Sequence, residues 1–87
     1  MYYVYVLLNW NKKHWYIGST QNFESRLKHH NDGYTFSTKP YRPWKIVHLE
    51  KFDSRKEAFK REMFLKSPSG YKEYLSIKDK ILNGGVA

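Results

Sequence analysis

A chain of 87 residues has material for one hydrophobic core, because a domain this small buries only about 60–65% of the surface its unfolded form exposes. Sixteen Lys and Arg face eight Asp and Glu, a formal charge of +8, and 18% of the residues are aromatic; such a surface attracts polyanions and offers rings on which bases stack. The absence of cysteine excludes disulfides and thiolate zinc sites, and no apolar run reaches the roughly 20 residues needed to span a bilayer. A single domain over residues 1–87, cytoplasmic and without a membrane partner, is therefore expected.

The elements follow in chain order. Tyr2 to Leu8 alternates aromatic and β-branched residues and reads as a strand rather than a leader. Asn9 to Lys13 is polar and supplies a turn, and His14 to Gly18 returns as a second strand. Asn22 is a helix N-cap, opening Phe23 to Asn31, which stops at Gly33. Tyr34 to Trp44, with two prolines, is a loop; Lys45 to Phe52 alternates again as a third strand. Ser54 and Glu57 form a capping-box pattern that starts a helix from Arg55 to about Lys66. Pro68 and Gly70 end it, and Tyr71 to Leu82 is a last helix. The order predicts an α+β fold, a small three-stranded antiparallel sheet flanked by helices.

Two helices break their own pattern. At 100° per residue, positions 23, 27 and 30 fall within about 60° of each other, with Arg26 one step to the side, so His30 and Arg26, i and i+4, are expected on the inward side with Phe23 and Leu27. In the next helix Ala58, Phe59 and Leu65 define the inward arc, and Glu62 stands in its middle. A buried carboxylate is costly unless it is paired or bound to a cation. Taken singly, His30 also reads as a satisfied core-edge histidine, and Arg26 with Glu62 as a structural ion pair. Glu62 becomes a surface residue if the helix phase shifts by one. Tyr5 and Tyr16 alone also fit ordinary strand packing.

Tyr3-Val4-Tyr5 followed by Tyr16-Ile17-Gly18 resembles the tripeptide pair of the GIY-YIG nuclease superfamily. Arg26 through Asn31 is similar to the family's first-helix segment, and Glu57 through Glu62 to its glutamate helix. Ser37-Thr38-Lys39 and Arg42-Pro43-Trp44 are like those of compact, stand-alone bacterial members, the type represented by the N-terminal domain of excision nucleases. The first tripeptide departs from its namesake at Tyr3 and Val4 but keeps Tyr5. The likeness runs from Tyr2 to about Lys66.

This resemblance implies a metal-dependent endonuclease that hydrolyses DNA phosphodiesters. Tyr16 would activate water, and Glu62 would be the only protein ligand of Mg²⁺ or Mn²⁺. Arg26 would contact the scissile phosphate, with Tyr5 and His30 supporting the water or the tyrosine. Because free tyrosine titrates near pH ~10, a tyrosine base predicts a rate that rises towards alkaline pH. Gly18 would let backbone and substrate approach closely, and Lys39, Arg42 and Lys66 are candidate phosphate contacts. Trp44 is expected in the core, whereas Tyr34 and Phe36 either stack on bases or close the core. His14, His29 and His48 lack zinc spacing. RNA as substrate, and a binding module that grips DNA or RNA without cutting, remain open. With no separate DNA-binding domain, specificity is expected from nucleic-acid structure or from a protein partner.

Overall fold

The computed structural model describes residues 1–84. Its order is β1 (Tyr2–Asn9), β2 (Trp15–Thr20), α1 (Phe23–Asn31), β3 (Trp44–Phe52), α2 (Arg55–Lys66) and α3 (Tyr71–Gly84), with short 3-10 turns at Lys39–Tyr41 and Pro68–Gly70. The sheet is antiparallel with β1 central, in the order β2-β1-β3. Among the described residues no helix is long and apolar enough to cross a membrane.

The first two helices begin where their caps stand. Asn22 Oδ1 accepts from the Ser25 N–H at 3.0 Å, and Ser54 Oγ accepts from the Glu57 N–H at 3.1 Å while donating to the Glu57 carboxylate; both satisfy orphan donors of a first turn. Gly33 has φ +86°, a left-handed conformation that ends α1 at little steric cost.

The second strand lies further along than the expected His14 to Gly18. Asn9, fully buried, captures the amides of Lys13 and His14 on its Oδ1 at 3.1 and 2.9 Å. That takes His14 out of the ladder and into the turn, and pairing then runs from Leu8↔Trp15 to Tyr3↔Thr20. β3 starts one residue early, because Asn31 of α1 holds both backbone groups of Trp44, accepting from its N–H at 2.7 Å and donating to its carbonyl at 2.9 Å.

Alternation along the strands divides the core in two. Val4, Val6 and Ile17 face α2 and α3 and pack with Ala58, Leu65 and Tyr74. Tyr5, Leu7 and Tyr16 face the other way, towards Leu27, Trp44 and Ile46. Trp44 is therefore a core residue, whereas Tyr34 and Phe36 are 73% and 93% exposed. Arg61 ties the α2 side together, its guanidinium bidentate on Glu50 of β3 at 2.7 and 3.0 Å and also paired with Glu73 of α3.

Candidate functional site

On the α1 face Tyr5, Tyr16 and His30 form one cluster. The Tyr16 and His30 rings are 4.7 Å apart between centroids, Tyr5 and His30 5.9 Å, and Tyr5 and Tyr16 6.2 Å. Tyr5 Oη lies 3.0 Å from His30 Nε2, and His30 Nδ1 lies 2.9 Å from Thr38 Oγ1. Tyr5, His30 and Thr38 are almost wholly buried and Tyr16 is half-buried. His30 is thus an inward residue, as its helical phase requires, and it connects the strand tyrosine to the loop.

The electrostatics of this cluster follow from burial. Removal from water, then the charges of Arg26 and His29, bring His30 down to about 4, so it is neutral at ordinary pH and serves as a hydrogen-bonding rather than a charged group. Burial also pushes Tyr5 well above the usual tyrosine range, with Tyr16 and Glu62 adding to the effect and Arg26 opposing it.

Gly18 stands directly across the ladder from Tyr5. A Cβ there would come within 2.6 Å of Tyr5 Oη, so the missing side chain is what admits the phenol. Close approach at Gly18 is therefore made by the protein's own tyrosine ring.

Glu62 lies on the other face of the sheet. It is 8% exposed, and its carboxylate accepts from Ser19 Oγ at 2.7 Å and from Lys66 Nζ at 2.6 Å. Ser19 follows Gly18 in the edge strand and by alternation points to the opposite side. A cleft of about 650 Å³ opens here, walled by Ser19, Arg26, His29, Arg55, Phe59 and Glu62. Among the described residues Arg26 has no ion-pair partner; it is exposed, and the alternative of a structural pair with Glu62 is not formed.

The sequence-derived residues fall into two neighbouring sets, Tyr5 with Tyr16 and His30, and Arg26 with Glu62, which meet along β2. Their charges reach across the strand, since both Arg26 and Glu62 act on Tyr5. Lys66 is engaged by Glu62, and Lys39 and Arg42 are exposed on the loop, where Arg42 Nε donates to the Lys39 carbonyl at 2.8 Å. Phe59 is not part of the inward arc. It is 53% exposed and forms a wall of the cleft, because Ala58, Glu62 and Leu65 already fill the side that meets the sheet.

Two contributors were not anticipated from sequence, Ser19 on the carboxylate and Thr38 on the imidazole. Ser19 had one local signal, its position directly after the Tyr16-Ile17-Gly18 tripeptide. Thr38 had its place in the Ser37-Thr38-Lys39 segment, but no periodicity there marked it as buried.

Among the described residues no three His, Asp or Glu side chains form a ready cation cage. The donor set at Glu62 nonetheless suits a hard cation held by one carboxylate and otherwise by water and substrate oxygens, the usual habit of magnesium. Lys66 already supplies positive charge at one carboxylate oxygen, from a side chain 42% exposed and free to swing aside.

The family model described as the GIY-YIG catalytic domain matches residues 1–74. A UPF0213 protein of Syntrophus aciditrophicus is 42% identical over 78 residues, covering 87% of this chain and 88% of its own. The UPF0213 protein YazA of Bacillus subtilis is 36% identical over 67 residues, covering 76% of this chain and 68% of its own. The solution NMR structure of the UPF0213 protein BH0048 from Bacillus halodurans superposes with a TM-score of 0.50 at 30% identity, covering 90% of this chain and 86% of that one.

Proposed function

The chain belongs to the GIY-YIG catalytic-domain family, and from that premise we propose that it is a metal-dependent endonuclease that hydrolyses phosphodiester bonds in DNA. The observation that carries this reading is Glu62, a carboxylate 8% exposed in the wall of a cleft it shares with Arg26, which has no ion-pair partner among the described residues. A binding protein has no use for such a group.

In this reading the scissile phosphate lies in the cleft, where Arg26 presents a planar fork of donors to its oxygens. Tyr16, in its deprotonated form, takes one proton from the attacking water as the water oxygen bonds to phosphorus and the P–O bond to the 3′ oxygen breaks. Tyr5 and His30 support Tyr16 from behind, held together by the hydrogen bond between the Tyr5 hydroxyl and the neutral imidazole. A divalent ion on Glu62, Mg²⁺ or Mn²⁺, would supply Lewis-acid stabilisation of charge on the phosphate and the leaving oxygen. Lys66, Lys39 and Arg42 contribute contacts to the flanking backbone, and Gly18 keeps the tyrosine in place. Selectivity comes from the structure of the nucleic acid or from a protein partner.

The test is cleavage of supercoiled plasmid, branched DNA and structured RNA with Mg²⁺, Mn²⁺ or EDTA, beside Glu62→Ala and Tyr16→Phe. DNA cleavage that needs the ion and is lost in both variants is expected. Cleavage that survives Glu62→Ala refutes the assignment, and tight binding without cleavage of any substrate identifies a binding module instead. Cleavage confined to RNA reassigns the substrate.

A further inference from the structure

Trp10 stands 68% exposed at the turn between β1 and β2, an unusual setting for a side chain that folded proteins mostly bury. We infer that it centres a second nucleic-acid contact, at the end of the sheet away from the cleft, where cations hold the phosphates of a bound strand and the indole packs on one of its bases. That this surface anchors a substrate for cutting rests on the nuclease reading; its affinity for a nucleic-acid backbone does not.

Two segments of the chain build the surface. Residues 1–23 and 33–49 contain no Asp or Glu, and between them they carry Lys12, Lys13, Lys39, Arg42 and Lys45. The fold joins their basic parts. The Trp10 amide donates to the Pro43 carbonyl at 3.0 Å, and Asn9 Nδ2 donates to the Tyr41 carbonyl at 3.2 Å. The His14 and Tyr41 rings stack with centroids 3.7 Å apart, and Lys45 lies across the ladder from Leu8. All five cations are exposed, and among the described residues none has a carboxylate partner. The acids that bracket the second segment are engaged elsewhere, Asp32 by Lys28 and Glu50 by Arg61 and His48.

Charge selects the occupant. Five unneutralised cations gathered at one end of a small domain attract a polyanion and disfavour a neutral or basic partner. Among polyanions, a nucleic acid also has flat bases for an exposed indole, and ring plus cations is the combination that grips such a strand. The turn offers the ring from a fixed frame, since Asn9 Oδ1 binds the amides of Lys13 and His14 on the far side of it.

Position separates this surface from the cleft. The cleft opens beside Tyr2, Ser19 and Thr20, whereas Trp10 follows Asn9 at the other end of β1. The seven steps from Tyr2 to Asn9, at about 3.3 Å each, put roughly 20 Å between the two. That is about six nucleotide steps at ~3.4 Å. Tyr16, paired with Leu7, lies between them, so a strand held at both ends runs past the tyrosine.

The experiment is anisotropy of a fluorescent DNA of about 20 nucleotides, long enough to cover cleft and turn, single-stranded and duplex, in EDTA. Wild type is compared with Trp10→Ala, with Lys12→Ala/Lys13→Ala, and with Lys72→Ala/Lys80→Ala on α3, where Glu73 and Asp79 interleave with the lysines. On the form that wild type binds more tightly, Trp10→Ala is expected to weaken binding about five- to fiftyfold. Lys12→Ala/Lys13→Ala is expected to lower the slope of log affinity against log salt by about 1.4 to 1.8, with the α3 variant unchanged in both respects. Trp10→Ala with wild-type affinity, or equal effects of the two double-lysine variants, overturns the inference. So does polyglutamate that displaces the DNA equally well at equal charge. Should Trp10→Ala not fold, the salt slopes of the lysine variants still decide. A wild type that binds through this surface but cuts nothing with Mg²⁺ sinks the nuclease reading alone, since binding is read without the ion.

Discussion

Tyr5 occupies the space that a side chain at Gly18 would need: the two are directly paired across β1 and β2, and a Cβ at Gly18 would sit 2.6 Å from the Tyr5 hydroxyl and 2.8 Å from its ring carbon. Tyr5 is walled in on every side, so the clash cannot be relieved by a swing into water. Gly18→Ala should therefore destabilise the fold by about 1–3 kcal/mol, the usual range for overpacking a tight site. It should also displace the phenol from His30. Urea denaturation measures the first effect and the Tyr5–His30 NMR contact the second; an alanine variant as stable as wild type would show that the ring has room to move.

Protonation of His30 links stability to pH. Its folded-state value of about 4, against an ordinary 6.5, means the unfolded chain takes up the proton first. This contribution is complete above pH 6.5 and is lost as the pH falls from 6.5 towards 4, by up to ~3 kcal/mol. Urea midpoints taken across that window should fall for wild type and change much less for His30→Gln. Equal slopes for the two proteins would assign the effect to other groups.

The two tyrosines should differ in the pH dependence of cleavage. Burial keeps Tyr5 protonated far beyond the usual tyrosine range, so Tyr5 is not expected to be the source of an alkaline rise in rate. Tyr5→Phe should keep the rise while lowering its height, whereas Tyr16→Phe should abolish turnover. A rise that disappears in Tyr5→Phe with turnover intact would exchange their roles.

Lys66 and a divalent ion compete for the same carboxylate. The pair has one end largely in water, where such contacts contribute under ~1 kcal/mol. Lys66→Met should accordingly tighten Mn²⁺ binding by only about two- to fivefold, and Glu62→Gln should remove it. Paramagnetic broadening of resonances around Ser19 and Ala58 reads this without any substrate. Broadening that persists in Glu62→Gln would move the cation elsewhere.

The secondary structure was almost entirely legible from local chemistry. Strand alternation marked β1 and β3, Asn22 and Ser54 marked the helix starts, and Gly33 and Pro68 marked the ends, because each of these signals acts within a few residues. The start of β2 was displaced by Asn9, whose side chain bonds across the turn. Phe59 was misplaced because a helical arc read from sequence cannot tell which of two neighbouring residues meets the sheet; the smaller Ala58 does.

Residue type and helical phase pointed to His30, Glu62 and Arg26 as inward polar groups; the first two are buried, whereas Arg26, one step to the side of its helix's inward face, is exposed. What His30 and Glu62 bond to was decided by the tertiary structure. Ser19 reaches Glu62 from 43 positions away in sequence, and Thr38 reaches His30 from a loop with no period to read. Alternation along the edge strand then sends Gly18 and Ser19 to opposite faces, which sets the tyrosines on one side and the carboxylate on the other. Hydrogen bonds of that kind depend on where chain segments pack against one another, and no local pattern of residues records it.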